Sequence, residues 1–440
     1  MALVHNESVE CASSQLELFS LPATQTSILQ GTWVSHHPVT TIAENGPLEF
    51  VINGSDEYIS LSDSYLQIRA KLVDSEGGDL ESGTEVGPVN LFLHSLFSQV
   101  DVSLNDRLVS ESSSTYPYRS MLEVLLNYGY DATVTQLSSA LFYKDSPSNI
   151  NTANPFATNA TSNSGLKNRA TFTDGSKVVD MIGRLHSDIF LQDRMLLNNV
   201  DLKIKLHRSK NSFCLMASDE TAGYKVKIVD AVLHVRKVKL NPGVILGHAK
   251  ALEKSTAKYP ISRVMVKSFT ISAGDLSVTK ENLFLGNLPK KLVLGFVSNI
   301  GFNGHYKRNP YNFHHYNVNR VGLYVDGQQI PTSSSLTPDF NGDNGHVSGY
   351  HTLFTGLNKH NKDNTGIISR ADYKRGYTLF CFDLTPDLCG GGHFNLQKTG
   401  NLRLELQFAE SLPETLNVVV YAEFENVIQV NITLYYNLVL

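Results

Sequence analysis

A chain of 440 residues, 41% of them hydrophobic, is long enough for two or three compact units and apolar enough to build their cores. Only 18% of its residues are charged, against an average of about 25%, which points to surface hidden against partners. The net charge is −5 and no Lys or Arg precedes Arg69, which excludes a basic N-terminal arm of the kind that neutralises nucleic-acid phosphates.

Residues 1–40 have little core-like periodicity and are expected to form an arm that contacts a neighbour or an inner component. The opening residues show neither a positive n-region nor an apolar h-region, so no signal peptide is expected. No stretch approaches the ~18 apolar residues of a membrane span. The sequons at Asn6, Asn53, Asn159 and Asn431 then read as chance matches. Four cysteines (Cys11, Cys214, Cys381, Cys389) make no disulfide framework and fit a reducing compartment.

Beyond residue 40, alternation with period two dominates. Leu66, Ile68, Ala70 and Leu72 form one run, and Val200, Leu202, Ile204 and Leu206 another. Leu402, Leu404, Leu406 and Phe408 form a third. Val418, Val420, Ala422 and Phe424 precede a further run of Ile428, Val430, Ile432 and Leu434. Each run places one face on a core and one outward, as an antiparallel sandwich requires. Turn pairs such as Asn53-Gly54, Gly77-Gly78, Asp174-Gly175 and Asp326-Gly327 separate the strands. Helices are few. Tyr118, Met121, Leu122 and Leu125 fall at helical spacing after Pro117, and a second helix is expected from Pro242 to about Lys254.

The halves on either side of that second helix echo one another. His94 leads into an alternating strand from Val100, a turn at Asn105-Asp106 and a restart ending at Val109. His315 leads into Val321, the turn Asp326-Gly327 and a restart ending at Ile330. Long polar loops are expected at 144–168 and 331–369, one per half. The expected organisation is an arm at 1–40, a first sandwich at 41–241, a linker helix at 242–255 and a second sandwich at 256–440.

No catalytic motif is present: there is no phosphate-binding loop, His-Glu-x-x-His, Cys-x-x-Cys or nucleophile elbow. His305, His314, His315, His346, His351, His360 and His393, near Cys381 and Cys389, are the best metal candidates. They lack paired ligand spacing, and in a strand the adjacent His314 and His315 would face opposite ways, so they read as surface or interface histidines. As a second reading they tune assembly with pH. Glu423 and Glu425 sit at i, i+2, about 7 Å apart along a strand, within the range for two glycosidase carboxyls. A solvated or intersubunit strand face is the simpler reading. Trp33, the sole tryptophan, cannot build a sugar-binding platform alone. No catalytic, cofactor-binding or metal residue is assigned.

Several long segments carry a resemblance. Gly87-Pro-Val-Asn-Leu-Phe-Leu-His-Ser-Leu-Phe-Ser-Gln-Val-Asp-Val-Ser-Leu-Asn105, Thr115-Tyr-Pro-Tyr-Arg119, Val178-Val-Asp-Met-Ile-Gly-Arg-Leu-His186 and Arg208-Ser-Lys-Asn-Ser-Phe-Cys-Leu-Met216 stand in the first half. Asn309-Pro-Tyr-Asn-Phe-His-His-Tyr316 and Leu323-Tyr-Val-Asp-Gly327 stand in the second, and Leu16-Glu-Leu-Phe19 and Thr24-Gln-Thr-Ser27 open the chain. Together they resemble the major capsid proteins of Polinton/Maverick elements and adintoviruses. The resemblance implies an all-β double jelly roll, two antiparallel eight-stranded sandwiches with short helices in the connections. It implies homotrimers of pseudo-sixfold outline in an icosahedral shell around DNA. It also implies penton and minor capsid proteins, a maturation protease and a packaging ATPase as sister components. Synthesis in the host cytoplasm, intracellular assembly and residence in the virion capsid go with it, without direct sequence-specific nucleic-acid binding, a membrane span, a cofactor or enzymatic activity. The alternatives are a two-jelly-roll glycan-active hydrolase, which would need converging acids at the seam of its domains, and a carbohydrate-binding or scaffold protein.

Overall fold

The computed structural model describes residues 4–431 except 45, 343, 364–365 and 389–391. Cys389, together with Ile432 and Leu434 of the last expected run, lies outside the described residues.

The first half carries ten strands in chain order: β1 (Ile28–His36), β2 (Leu48–Ile52), β3 (Tyr58–Val73), β4 (Val86–Pro88), β5 (Phe97–Leu104), β6 (Arg107–Leu108), β7 (Val179–Gly183), β8 (Leu202–Arg208), β9 (Leu215–Ala217) and β10 (Lys225–Leu240). Apart from β4 and β9, which pair with each other, they build two four-stranded sheets ordered β1-β10-β3-β7 and β2-β8-β5-β6. The period-two runs decide which side faces in. Leu66, Ile68 and Ala70 of β3 and Leu202, Ile204 and Leu206 of β8 are fully buried, whereas Gln67, Arg69, Lys203 and Lys205 between them are not.

The second half repeats the plan with β11 (Ala257–Ile271), β12 (Ser277–Lys280), β13 (Lys291–Ser298), β14 (Val318–Val325), β15 (Gln328–Ile330), β16 (Leu379–Asp383), β17 (Leu402–Phe408) and β18 (Leu416–Val430). Its sheets run β11-β18-β13-β16 and β12-β17-β14-β15, strand for strand the order of the first half. Each half is a jelly roll, and the chain is a double jelly roll.

The sequence echo falls on one matched pair of hairpins, β5–β6 and β14–β15. Asn105 (φ 47°) and Asp106 (φ 62°) turn the first; Asp326 (φ 48°) and Gly327 (φ 83°) turn the second. Two consecutive left-handed residues make the turn whose twist matches the flanking strands. The linker helix α2 (Pro242–Leu252) joins the rolls, with Pro in its first turn and the Asn241 side chain accepting from the Gly243 amide at 3.0 Å. The other expected helix, α1 (Tyr116–Asn127), lies in the long connection between β6 and β7.

Three expectations need correction. Residues assigned to the arm include β1, which pairs antiparallel with the edge of β10 from Ile28↔Leu240 to His36↔Leu233, with one register shift between Ile28 and Gln30. It was missed because both its faces are largely exposed, so no alternation marks it. As far as Val430, the two runs near the C-terminus are one strand, β18; their apolar residues fall on even numbers, so no phase break divides them. The long loops are also not structureless. A helix, Ser164–Thr171, begins inside the first, and another, Val347–Thr355, lies inside the second. Both regions belong to matched connections, β6 to β7 and β15 to β16.

Candidate functional site

The densest polar chemistry lies where the two rolls meet. α1 is buried along nearly its whole length, from Tyr116 to Leu126, and so takes Arg119 and Glu123 into the interior. Arg119 donates from Nε to Glu123 Oε1 at 2.9 Å and pairs through its terminal nitrogen with Asp188 Oδ1 at 2.7 Å. Asp188 also accepts from the backbone amide of Val264 at 3.2 Å and pairs with Arg263 at 3.3 Å, both on β11 of the second roll. Two guanidinium groups and two carboxylates thus balance across the seam. Without that balance each burial would cost several kcal/mol.

Histidine completes this knot. His186 Nδ1 lies 2.5 Å from Glu123 Oε2, and its ring meets the His94 ring edge-on at 4.6 Å. His94 Nδ1 in turn lies 2.9 Å from the Tyr116 hydroxyl. Burial alone would raise the Glu123 carboxyl, but Arg119 and His186 outweigh it and hold it at about 2. Burial, with the neighbouring His186, keeps His94 well below the usual histidine range.

A second knot ties the long connections together. Arg169, fully buried, pairs with Asp145 at 2.7 Å and donates to the carbonyls of Pro88 at 2.9 Å and Tyr143 at 2.5 Å. Asp145 also accepts from Asn163 at 3.0 Å and, from the second roll, Asn309 at 3.1 Å. The Tyr377 hydroxyl donates to the Asp145 carbonyl at 2.8 Å, and Lys144 pairs with Asp372 at 2.5 Å. Gly376 (φ 102°) lets the chains pass this closely: a Cβ there would stand 2.3 Å from Ile150 Cδ1.

The histidine candidates do not converge on a metal. Among the described residues no group of three or more His, Cys, Asp or Glu side chains could hold an ion. His314 and His315 lie outside any strand, and their rings stack at 4.5 Å instead of facing apart. His315 stacks in turn on Phe340 at 4.3 Å, and Phe340 on His346 at 5.7 Å. Burial, then His314, Lys374 and His346, pushes His315 down to about 3, so this ring stays neutral near pH 7. The carboxylates of β18 are engaged: Glu423 accepts from Tyr421 at 2.9 Å and pairs with Lys290 at 3.7 Å, and Glu425 accepts from the Asn395 amide at 2.8 Å. Trp33, half exposed on β1, donates to the Asp63 carbonyl at 2.9 Å and lies under Arg236 at 4.7 Å.

One cleft of about 460 Å³ reaches His94 and His186, flanked by Tyr65, Tyr128 and Arg184. It does not assemble a nucleophile. Of its two lining serines, Ser139 donates to the carbonyls of Gln136 and Ile182, and Ser62 faces Ser60 at 3.4 Å. Sequence reasoning missed both ionic knots. The only local signal was Arg119 and Glu123 at i, i+4 on an otherwise apolar helix face.

No family model matches the chain. The uncharacterized protein F54H12.2 of Caenorhabditis elegans is 27% identical over 420 residues, 92% of this chain and 96% of that protein. Among solved structures, a chain of the Sputnik virophage superposes with a TM-score of 0.62 at 13% identity, covering 97% of this chain and 92% of that one. The mavirus major capsid protein gives 0.53 at 12% identity over 98% and 95%. The Faustovirus major capsid protein gives 0.54 at 8% identity over 94% and 92%. At such identities the likeness establishes the fold.

Proposed function

We propose that this chain is a major capsid protein of the Polinton/Maverick and adintovirus type, a non-enzymatic shell subunit. The observation that carries the reading is the repeated strand order of two rolls in one chain, matched along nearly its whole length by viral capsid proteins. Two similar sandwiches per chain and three chains per ring give six similar wedges. A closed threefold interface keeps such a capsomer finite. In this reading the trimers tile an icosahedral shell around a DNA genome and meet penton and minor capsid proteins. The virion capsid is their destination, after synthesis in the host cytoplasm and assembly inside the cell. The nematode relative of nearly equal length fits a gene carried in animal genomes.

The division into units is part of the proposal: an arm, a first roll, the linker helix at 242–255 and a second roll at 256–440. The first roll is taken to begin with β1, ahead of residue 41. The glycan-active alternative called for acids converging at the seam, and the seam does hold Glu123, Asp188 and Asp145. Each is at most 5% exposed and paired with arginine, so none is placed to reach a substrate. The test is the native mass by light scattering, followed by negative-stain imaging. Three chain masses and particles of pseudo-hexagonal outline are expected. A monomer that resists assembly across salt and pH would overturn the reading.

A further inference from the structure

The N-terminal segment and the linker helix lie at the same end of the fold, and neither is covered. Every residue from 4 to 33 is exposed. Among them Leu16, Leu18, Phe19 and Leu21 are between 70% and 99% exposed. Four large apolar side chains within six positions, all left in water, make a patch that a folded chain normally hides. α2 has the same defect. Its sequence Pro-Gly-Val-Ile-Leu-Gly-His-Ala-Lys-Ala-Leu is mostly apolar, yet none of its residues is buried. Val244, Ile245 and Leu252 lean on the rolls, while Leu246, at 63% exposure, and Ala249 face away.

Topology places the two side by side. The start of β1 pairs with the end of β10, and the Asn241 amide that precedes α2 donates to the Ser27 carbonyl at 2.8 Å. Charge distinguishes them. Residues 4–27 carry Glu7, Glu10 and Glu17 and no Lys or Arg. Around α2, Lys239, Lys250, Lys254 and Lys258 are all exposed, and among the described residues none of them has an ion-pair partner. An acidic apolar segment and a basic apolar helix are complementary surfaces.

We infer that α2 with its four lysines is the docking site for residues 4–27 of a second copy of this chain, with Leu16, Leu18, Phe19 and Leu21 covering Leu246 and the open side of the helix. At about 3.3 Å per extended residue the segment reaches on the order of 80 Å, ample to cross to a neighbour. This inference rests on the capsid reading, which supplies a neighbour with the same end of its fold turned the same way.

The experiment uses two versions of the full chain, both with Cys11→Ser and Cys389→Ser; the remaining Cys214 and Cys381 are buried. One version carries Ser20→Cys and the other Ala249→Cys. They are mixed, allowed to assemble and treated with a short bis-maleimide. A cross-linked species containing one of each is expected, several-fold above a control pair with Thr133→Cys in place of Ala249→Cys. Lys250→Glu with Lys254→Glu should reduce it several-fold, and Glu10→Lys with Glu17→Lys should restore it. Multimers by light scattering without that cross-link would overturn the docking site and leave the capsid reading intact. In a third version carrying both Ser20→Cys and Ala249→Cys, linkage within one chain, with none in the mixed pair, would overturn exchange between copies. A protein that stays monomeric throughout would remove both readings.

Discussion

Arg169 and Asp145 meet at 2.7 Å in the interior, the arginine fully buried and the aspartate 3% exposed, and Asn309 of the second roll binds the same carboxylate. Removing one partner of such a pair strands the other charge away from water, at a cost of about 3–5 kcal/mol. Arg169→Leu is therefore expected to lower the unfolding midpoint sharply. Arg169→Leu with Asp145→Asn should recover part of the loss, because no unpaired charge remains. Thermal unfolding of the two variants side by side checks this; equal midpoints would show that the charge itself is not what stabilises the junction.

Glu123 gives the seam an acid limit. Its carboxyl titrates at about 2 in the fold, against 4.5 for an ordinary glutamate. A lowered folded value means that the unfolded chain binds protons first, so this contribution is complete above pH 4.5 and lost as pH falls toward 2. Glu123→Gln should be less stable at neutral pH but show a flatter profile between pH 4.5 and 2. Denaturant midpoints measured across that window would decide it, and parallel profiles for both proteins would refute the assignment.

His315 places a second window higher on the scale. Burial holds it at about 3 against an ordinary 6.5, so its contribution is complete above pH 6.5 and fades as pH falls toward 3. Phenylalanine can keep the stacks on His314 and Phe340, although the bond that Nδ1 accepts from the Asn317 amide at 2.9 Å is lost, costing about 1 kcal/mol. His315→Phe is expected to be slightly less stable at pH 8 and relatively better at pH 5. A stability difference that does not change with pH would contradict it.

What could be read from the sequence was whatever depends on neighbours in the chain. Leu66 to Leu72 and Leu202 to Leu206 announce their strands because each apolar side chain packs against the opposite sheet, two residues apart. Asn105-Asp106 and Asp326-Gly327 announce their hairpins because few residues tolerate two left-handed positions in a row. The strand β1 left no trace, since an edge strand exposed on both sides needs no alternation. Asp145 could not be linked to Asn309, nor Asp188 to Arg263, because their proximity is made by the packing of two rolls and no local spacing records it. His314-His315 mislead for the opposite reason: adjacent side chains face apart only in a strand, and this segment leads into a turn with its rings stacked.

Gly376 tests how closely the two connections interlock. With φ at 102° and both Ile150 Cδ1 and Asn312 Oδ1 well inside contact distance of an added Cβ, Gly376→Ala meets both backbone strain, roughly 1–3 kcal/mol, and a steric clash. Ile150→Ala in the same chain removes the nearer of the two side-chain clashes and leaves the strain and the approach of Asn312 Oδ1 in place. The double variant should therefore unfold at a midpoint above that of Gly376→Ala alone. A double variant that unfolds lower than either single change would mean that Ile150 packing, not the approach at Gly376, dominates this contact.

Asp188 decides whether the rolls unfold together. Each roll has its own buried sheets, so each could in principle melt by itself, and only the seam obliges one to follow the other. Asp188 forms an ion pair with Arg119 in the first roll and accepts from Arg263 and the Val264 amide in the second. Asp188→Ala leaves those three groups without their shared partner in the interior, a loss of about 3–5 kcal/mol concentrated on the contact between halves. A core change such as Phe50→Ala costs a similar amount, about 3–5 kcal/mol, but acts within one roll. Calorimetry should therefore give one transition for the parent chain, one transition at lower temperature for Phe50→Ala, and a broadened or divided transition for Asp188→Ala. A single sharp transition in all three would mean that the apolar contacts between the rolls couple them without Asp188, and that the ionic knot stabilises the junction without making it cooperative.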